Sequence, residues 1–285
     1  MAETPQEPLT MRPSDGLTVL ALPTPTLPPA TTTNTSLVGR RDVWVVDPAT
    51  PWDAPRAELL AAIRALSGAG RTARGVVLTH HHPDHVGAAG WLRDQAGLPI
   101  LAHPLTAELL GDRLPVDRHL DEGDVLTGSD APDDRWRVLH TPGHAPGHLC
   151  LWEPVRRLLV AGDMVAARGT IVIAPPDGHM TTYLTQLARL ADLAPARIVP
   201  AHGDVIDDAE ERLRFYIAHR HEREGRVVAA LDGSPQDLPT LTAKSYPDVP
   251  SALHGLAAGS ALAHLVRLAE EGRARQLPDG RWVSA

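Results

Sequence analysis

The sequence predicts an α/β protein, and two observations carry that prediction. Apolar runs of strand length alternate between residues 17 and 200 with stretches whose apolar residues recur at steps of three and four. The polar signatures, His and Asp beside Gly or Pro, fall where the strand-like runs end. Taken in order, residues 1–16 are Pro-rich and polar and are expected to form a flexible lead, with the first strand over 17–22. Residues 31–38 and 42–47 read as paired strands, and 57–66 as an amphipathic helix. Gly75-Val76-Val77-Leu78 is a short run of buried-strand character, and the small residues from Val86 to Leu92 begin a helix. Strands are expected again at 100–102, 136–140, 148–152 and 158–161, with loop or hairpin chemistry in the Asp and Gly cluster of 121–134. Met180, Tyr183, Leu184, Leu187, Leu190 and Ala191 mark the clearest amphipathic helix, and 197–200 the last strand.

Beyond residue 207 the pattern becomes helical. Helices are expected over 210–231 and 251–271, separated by a polar stretch containing Pro239 and Pro247. Residues 273–277 and 281–283 flank Pro278-Asp279-Gly280, a tight-turn sequence, so the chain closes on a hairpin. Helices followed by a two-stranded wing suggest a small winged-helix-like module over 209–285, after a larger catalytic domain over 17–208.

A chain of 285 residues with 43% hydrophobic and 22% charged residues can bury a substantial core. No apolar stretch reaches the roughly 18 to 20 residues of a membrane span, so no membrane partner is expected. The N-terminal segment lacks the pattern of a secretory signal, which makes the cytoplasm the expected location. The single cysteine, Cys150, sits in the strand-like Leu149-Cys150-Leu151-Trp152 and reads as a buried apolar thiol. The net charge of −8 argues against non-specific nucleic-acid binding by the whole chain. Residues 212–285 hold ten basic and eight acidic residues, a net of +2, which is weak support for a nucleic-acid partner. Oligomeric state has no signature in the sequence.

Chemistry concentrates in Thr79-His80-His81-His82-Pro83-Asp84-His85, placed between the strand 75–78 and a helix start. Residues two apart on an extended segment point the same way, so His80 and His82 can share one ion. The turn into the helix carries Asp84 and His85 toward a second ion, and His81 should point elsewhere. Three further strand ends offer Thr141-Pro142-Gly143-His144, Ala161-Gly162-Asp163 and Pro200-Ala201-His202-Gly203. His144 could complete a three-histidine set with His80 and His82. Asp84, His85 and His202 could form the other set, with Asp163 bridging both. Imidazole nitrogens and carboxylate oxygens suit zinc, and equally iron or manganese, so the donor set does not choose the metal, with zinc the expected one. Two divalent ions roughly 3.5 to 4 Å apart would hold a bridging hydroxide at neutral pH and polarise the bond under attack. Asp84 or a metal-bound water is the candidate proton carrier to the leaving group. His148 reads as a structural partner of the site, and Asn34 and Thr35 as turn residues.

The order of Thr79 to His85, His144, Asp163 and His202 resembles the metallo-β-lactamase superfamily, with all seven ligand positions present. The resemblance implies an αββα sandwich with metals at one edge. Thr33 to Gly39, Tyr183, the 216–224 segment with His219-Arg220, and residues 261–272 resemble the lactamase-beta-2-like branch, which carries a C-terminal winged helix and includes reported endoribonucleases. It covers the chain from about residue 17. The glutathione thioesterases of the superfamily carry a Cys two residues before the Gly-Asp pair, and Val160-Ala161-Gly162-Asp163 has none, which disfavours that activity. The expected function is dinuclear metal-dependent hydrolysis of an ester, thioester, lactone or phosphodiester, with a small-molecule or acyl substrate as partner. A mononuclear iron persulfide dioxygenase and a metal-dependent endoribonuclease or nucleic-acid-binding protein are the alternatives. Arg168, His179 and Tyr183, which follow Asp163 in a loop and helix, are candidate substrate contacts.

Overall fold

The computed structural model describes residues 9–285. The chain divides into two compact units. The first holds the residues up to Thr141, with Gly147–Gly169 and Ala194–Ala209; the second holds Pro142–Pro146, Thr170–Leu193 and Glu210–Ala285.

In the first unit, β1 (Leu9–Ser14), β2 (Leu17–Pro23), β3 (Thr32–Val38) and β4 (Asp42–Val46) run as an antiparallel meander. Helix α1 (Asp53–Gly68) crosses to β5 (Thr72–Val77), which pairs parallel to β4. The short α2 (Pro83–Val86) and α3 (Ala89–Ala96) lead to β6 (Ile100–Ala102), and α4 (Pro104–Leu110) leads to β7 (Arg118–His119). These seven strands form one sheet in chain order. A second sheet has the order β12-β11-β10-β9-β8, built from β8 (Val125–Thr127), β9 (Arg135–His140), β10 (Leu149–Glu153), β11 (Leu158–Gly162) and, after α5 (Met180–Asp192) of the second unit, β12 (Arg197–Pro200).

The period-2 pattern separates two cores. Leu17, Val19, Val46, Val77 and Leu101 from the first sheet pack with Trp136, Val138, Leu149, Leu151 and Val160 from the second. The alternate residues Leu20, Leu22, Val43, Val45, Val76 and Ile100 meet Leu59 and Ile63 of α1 and Leu92 of α3 on the opposite face. Burial on both faces explains why Val76-Val77-Leu78 reads as a continuous apolar run rather than an alternating one. Trp136 is fully buried between the sheets, and Trp136→Ala is expected to cost about 3–5 kcal/mol, read by chemical denaturation.

The lead expected over 1–16 needs correction where it is described. Residues 9–14 are β1, paired with β2 through Leu9↔Ala21 and Met11↔Val19, while 1–8 lie outside the described residues. Prolines made this stretch look unstructured, but β1 is the edge strand of its sheet, where Pro13 need not donate to a ladder.

The second unit contains α5, α6 (Ala209–Ala230, entering the unit at Glu210), α7 (Leu238–Ser245), α8 (His254–Glu270) and the hairpin β13 (Ala274–Gln276) with β14 (Trp282–Ser284). Val227, Leu231, Leu241, Leu265, Leu268 and Trp282 form its core. Helix α7 occupies what reads in sequence as a polar stretch. Asp237 caps it by accepting from the Thr240 amide, and Pro239 sits in the first turn, where its missing N–H costs nothing. The unit also takes in 142–146 and 170–193, which the sequence assigns to the 17–208 domain.

Candidate metal centre

The histidine motif begins where β5 ends. Asp47, just past β4, is buried at a φ of 50° and receives the Thr79 amide on one oxygen at 2.8 Å. Its other oxygen accepts the Thr79 hydroxyl at 2.7 Å and faces His85 Nδ1 at 2.8 Å. One carboxylate therefore fixes both the start of the motif and its last histidine. His82 is the N-cap of α2, with Pro83 at the first helical position. That turn swings Asp84 and His85 onto the helix while His80 stays on the extended side. His80 and His85 are fully buried, with ring centroids 4.0 Å apart. His80 Nε2 and His82 Nδ1 lie 2.9 Å apart. The ring of His81 sits edge-on to that of His80 at 6.4 Å.

Partners of the ring nitrogens settle several tautomers. His85 Nδ1–H donates to Asp47, so in the neutral ring Nε2 is the lone-pair nitrogen, and that atom is buried with no hydrogen-bond partner. The Thr79 hydroxyl spends its proton on Asp47, so His80 Nδ1–H donates to it at 3.0 Å and Nε2 is again the lone pair. His202 Nδ1–H donates to the Thr32 carbonyl at 3.1 Å.

Two other strand ends deliver the remaining first-unit donors. Gly162 holds a φ of 49°, and a Cβ there would lie 2.6 Å from His148 Nε2. That close approach lets His148 accept the Asp163 amide at 3.0 Å. His148 Nδ1–H then donates to the Thr141 hydroxyl at 2.8 Å, so His148 orients Asp163 through its backbone. After β12, Asn34 Nδ2 donates to the carbonyls of Pro200 and Gly203 at 2.9 and 2.7 Å, gripping the turn that carries His202 from both sides. Asn34 thus does more than the turn role its sequence setting suggests.

These donors converge in the first unit. His80, His85 and Asp163 bring one ligand atom each within 4.8 Å of one another, and so do Asp84, His85 and His202. Asp163 Oδ1 is 3.6 Å from His85 Nε2 and 3.4 Å from His202 Nε2. Asp84 accepts the Thr26 hydroxyl at 2.6 Å, and the same oxygen is 3.6 Å from His202 Nε2. Burial disfavours an imidazolium at His85, yet the charges of Asp163 and Asp47 outweigh it and raise its pKa well above the ordinary value. His202 is raised the same way, against burial, by Asp163. Burial favours the neutral form of Asp163 too, and His85 and His202 overcome it, holding the carboxyl well below its usual range. The buried Nε2 of His85 has no hydrogen-bond partner and faces a carboxylate kept ionised, a setting in which a metal cation can take the place of the imidazolium proton.

His144 belongs to the second unit. Gly143 before it holds a φ of 133°, and His144 Nδ1–H donates to the Val172 carbonyl at 3.0 Å, which leaves the lone pair on Nε2. Of the candidate substrate contacts, Arg168 is exposed on the segment after β11. His179 caps α5 and pairs with Glu270 Oε1 at 2.7 Å. Tyr183 is fully buried with the Arg220 guanidinium 5.5 Å from its ring centroid, so packing accounts for it.

Asp47 is the functional residue that sequence reasoning missed. Its only trace is a carboxylate ending the apolar run Val43 to Val46 just before Pro48. Thr26, 58 residues before Asp84, has no such trace.

Comparison with known proteins is consistent with this geometry. Residues 28–202 match the family profile described as metallo-beta-lactamase superfamily, and 238–282 match the beta-lactamase associated winged helix domain. A Beta-lactamase-like protein 2 homolog of Caenorhabditis elegans is 30% identical over 203 residues, covering 69% of this chain. This chain spans 65% of that protein's length. The Drosophila melanogaster homolog of the same name is 28% identical, covering 70% of each chain. A metallo-beta-lactamase family protein from Thermus thermophilus superposes with a TM-score of 0.76 at 26% identity, over 95% of this chain and 99% of its own. A Beta-lactamase domain protein from Burkholderia ambifaria has the same fold, with a TM-score of 0.83 at 24% identity over 100% and 96% of the two chains.

Proposed function

The chain belongs to the metallo-β-lactamase superfamily, and from that membership we propose that it is a dinuclear metal-dependent hydrolase acting on an ester, thioester, lactone or phosphodiester. The observation that carries the proposal is the buried convergence of His80, His85, Asp163, Asp84 and His202, with His85 Nε2 aimed into it unpartnered. His80, His82 and His144 would hold one ion, and Asp84, His85 and His202 the other, with Asp163 shared. The assignment of His144 rests on its motif and on the tautomer that Val172 imposes. When bound, two such ions, zinc by preference, supply a water of lowered pKa and polarise the group under attack.

The chain's own residues do the rest. Asp47 keeps His85 in the Nδ1–H tautomer, and His148 and Asn34 hold Asp163 and the His202 turn in place. Such partners spare the site reorganisation when it binds an ion. Asp84 has one oxygen occupied by Thr26 and is half-buried rather than sealed, so its other oxygen can receive a proton and return it to a leaving group. A small-molecule or acyl substrate follows from this reading; among the described residues no helix is long and apolar enough to cross a membrane.

Metal analysis coupled to a substrate panel tests the proposal. The expected result is two zinc per chain, with hydrolysis of a nitrophenyl ester, a thioester, a lactone or a nitrophenyl phosphodiester that chelation abolishes and zinc restores. One iron per chain with oxygen uptake on a persulfide would replace the reading with a dioxygenase. Cleavage of single-stranded RNA alone would make the chain a nuclease.

A further inference from the structure

We propose that Arg220 is a positioning residue for His144, acting from α6 through the backbone of residues 171 and 172. The inference rests on His144 being a metal ligand as proposed above. All the contacts involved lie within the second unit.

Arg220 is 3% exposed, and among the described residues no carboxylate lies within ion-pairing distance of it. A buried guanidinium is expensive to leave without an anion. Arg223, three residues further along α6, shows the ordinary solution: it pairs with both oxygens of Asp248 at 2.7 and 2.8 Å. Arg220 instead lies over the rings of Tyr183 and Tyr216, at 5.5 and 6.0 Å from their centroids, and its Nη2 donates to the Ile171 carbonyl. Its charge is spent on a backbone oxygen and two aromatic faces.

That backbone oxygen is one residue from the acceptor of His144. The Val172 carbonyl takes the His144 Nδ1 proton at 3.0 Å. Peptide planes are rigid, so a single pair of backbone dihedrals separates the carbonyl that Arg220 holds from the one that orients the imidazole. A second route reaches the same histidine. Gly143 packs so closely on Tyr183 that a Cβ would collide with the Tyr183 backbone, and the His179 amide donates to the Gly143 carbonyl at 2.8 Å. Tyr183 is also the ring beneath Arg220. Arg220 thus touches both the residue against which Gly143 is seated and the residue preceding the His144 acceptor. A guanidinium does this because it can donate in its plane while stacking through its faces; an ammonium cannot do both.

The test uses the full chain, stripped of metal and titrated with zinc, for Arg220→Lys, His144→Ala, the double variant and Arg223→Lys as a same-helix control. In wild type two ions should bind. Arg220→Lys is expected to weaken one of them by roughly 10- to 100-fold, as loss of an orienting partner does, and to leave the other unchanged. His144→Ala should weaken the same ion, and adding Arg220→Lys to it should cause no further loss. Cobalt(II) in place of zinc gives a spectroscopic reading: the visible bands of one equivalent should change in Arg220→Lys and remain as wild type in Arg223→Lys. Wild-type affinity for both ions in a folded Arg220→Lys protein would overturn the inference, as would an undiminished Arg220 effect in the His144→Ala background. Circular dichroism verifies folding, and Arg220→Met, which keeps the stem volume, replaces the lysine variant should that fail to fold. A wild-type chain that binds no divalent ion would overturn the hydrolase reading and this inference together; two-ion binding indifferent to Arg220 would overturn only the inference.

Discussion

Replacing Asp163 by alanine is expected to reduce metal-dependent hydrolysis to the uncatalysed background, a loss of roughly 10⁶-fold or more given ordinary enzymatic accelerations. Asp163 Oδ1 stands 3.6 Å from His85 Nε2 and 3.4 Å from His202 Nε2, so its removal takes away the carboxylate whose charge both histidines feel most closely, leaving only the more exposed Asp84 facing them. Zinc titration should show at least one ion lost, and full retention of chelator-sensitive hydrolysis would exclude the proposed centre. The same substitution has a signature in the metal-free protein. His85 and His202 have raised pKa values, so their pairing stabilises the fold fully below their ordinary pKa of about 6.5 and loses that contribution as pH rises through the raised values. Asp163 is lowered, so its contribution is present above about pH 4 and is lost as pH falls through the depressed value. Both conditions hold between about pH 4 and 6.5. Denaturation of metal-free wild type and Asp163→Ala should therefore differ most in that window and converge on the alkaline side. Metal binding runs the other way, because zinc must displace those protons, so its affinity should fall on acidification.

The second large effect is expected at Asp47. Asp47→Ala strands three buried donors, the Thr79 amide, the Thr79 hydroxyl and His85 Nδ1–H, where each orphaned group costs about 1–3 kcal/mol. The total should be about 3 kcal/mol or more, a large part of a typical domain's stability. Alanine also fits the φ of 50° poorly, whereas asparagine visits that region readily. Asp47→Asn should therefore keep more of the fold while still losing the charge that orients His85. Its expected phenotype is roughly 10- to 100-fold weaker zinc binding at near-native stability. Denaturation and zinc titration of the pair separate the two contributions. If Asp47→Asn binds zinc as wild type does, the carboxylate serves the backbone turn and not His85.

How much of this was legible in the chain varies with the range of the interaction. The motif Thr79 to His85 carries its geometry locally: an extended segment, a Pro at the first helical position, and donors on either side of that turn. The main strands of both sheets were readable because each is a short apolar run. Strand β1 was not, because an edge strand tolerates prolines that would break an interior one. Helix α7 was hidden for a related reason: its Asp237 cap and Pro239 in the first turn read as loop chemistry. His148 could be placed beside the site from its spacing to His144, and its bond to the Asp163 amide gives it a structural part. Asp47, Thr26 and Asn34 act on residues 32 or more positions away along the chain, and no spacing rule reaches that far.

By itself, the sequence determined the α/β class, the winged C-terminal elements and the candidate donors, because periodicity and donor chemistry are properties of neighbouring residues. The tertiary structure alone decided which carboxylate orients His85, which side chain holds the Asp163 amide, and that residues 142–146 and 170–193 fall in the same compact unit as most of α6. Those outcomes depend on close approaches at Gly143 and Gly162 and on buried polar groups that must find partners wherever the fold supplies them.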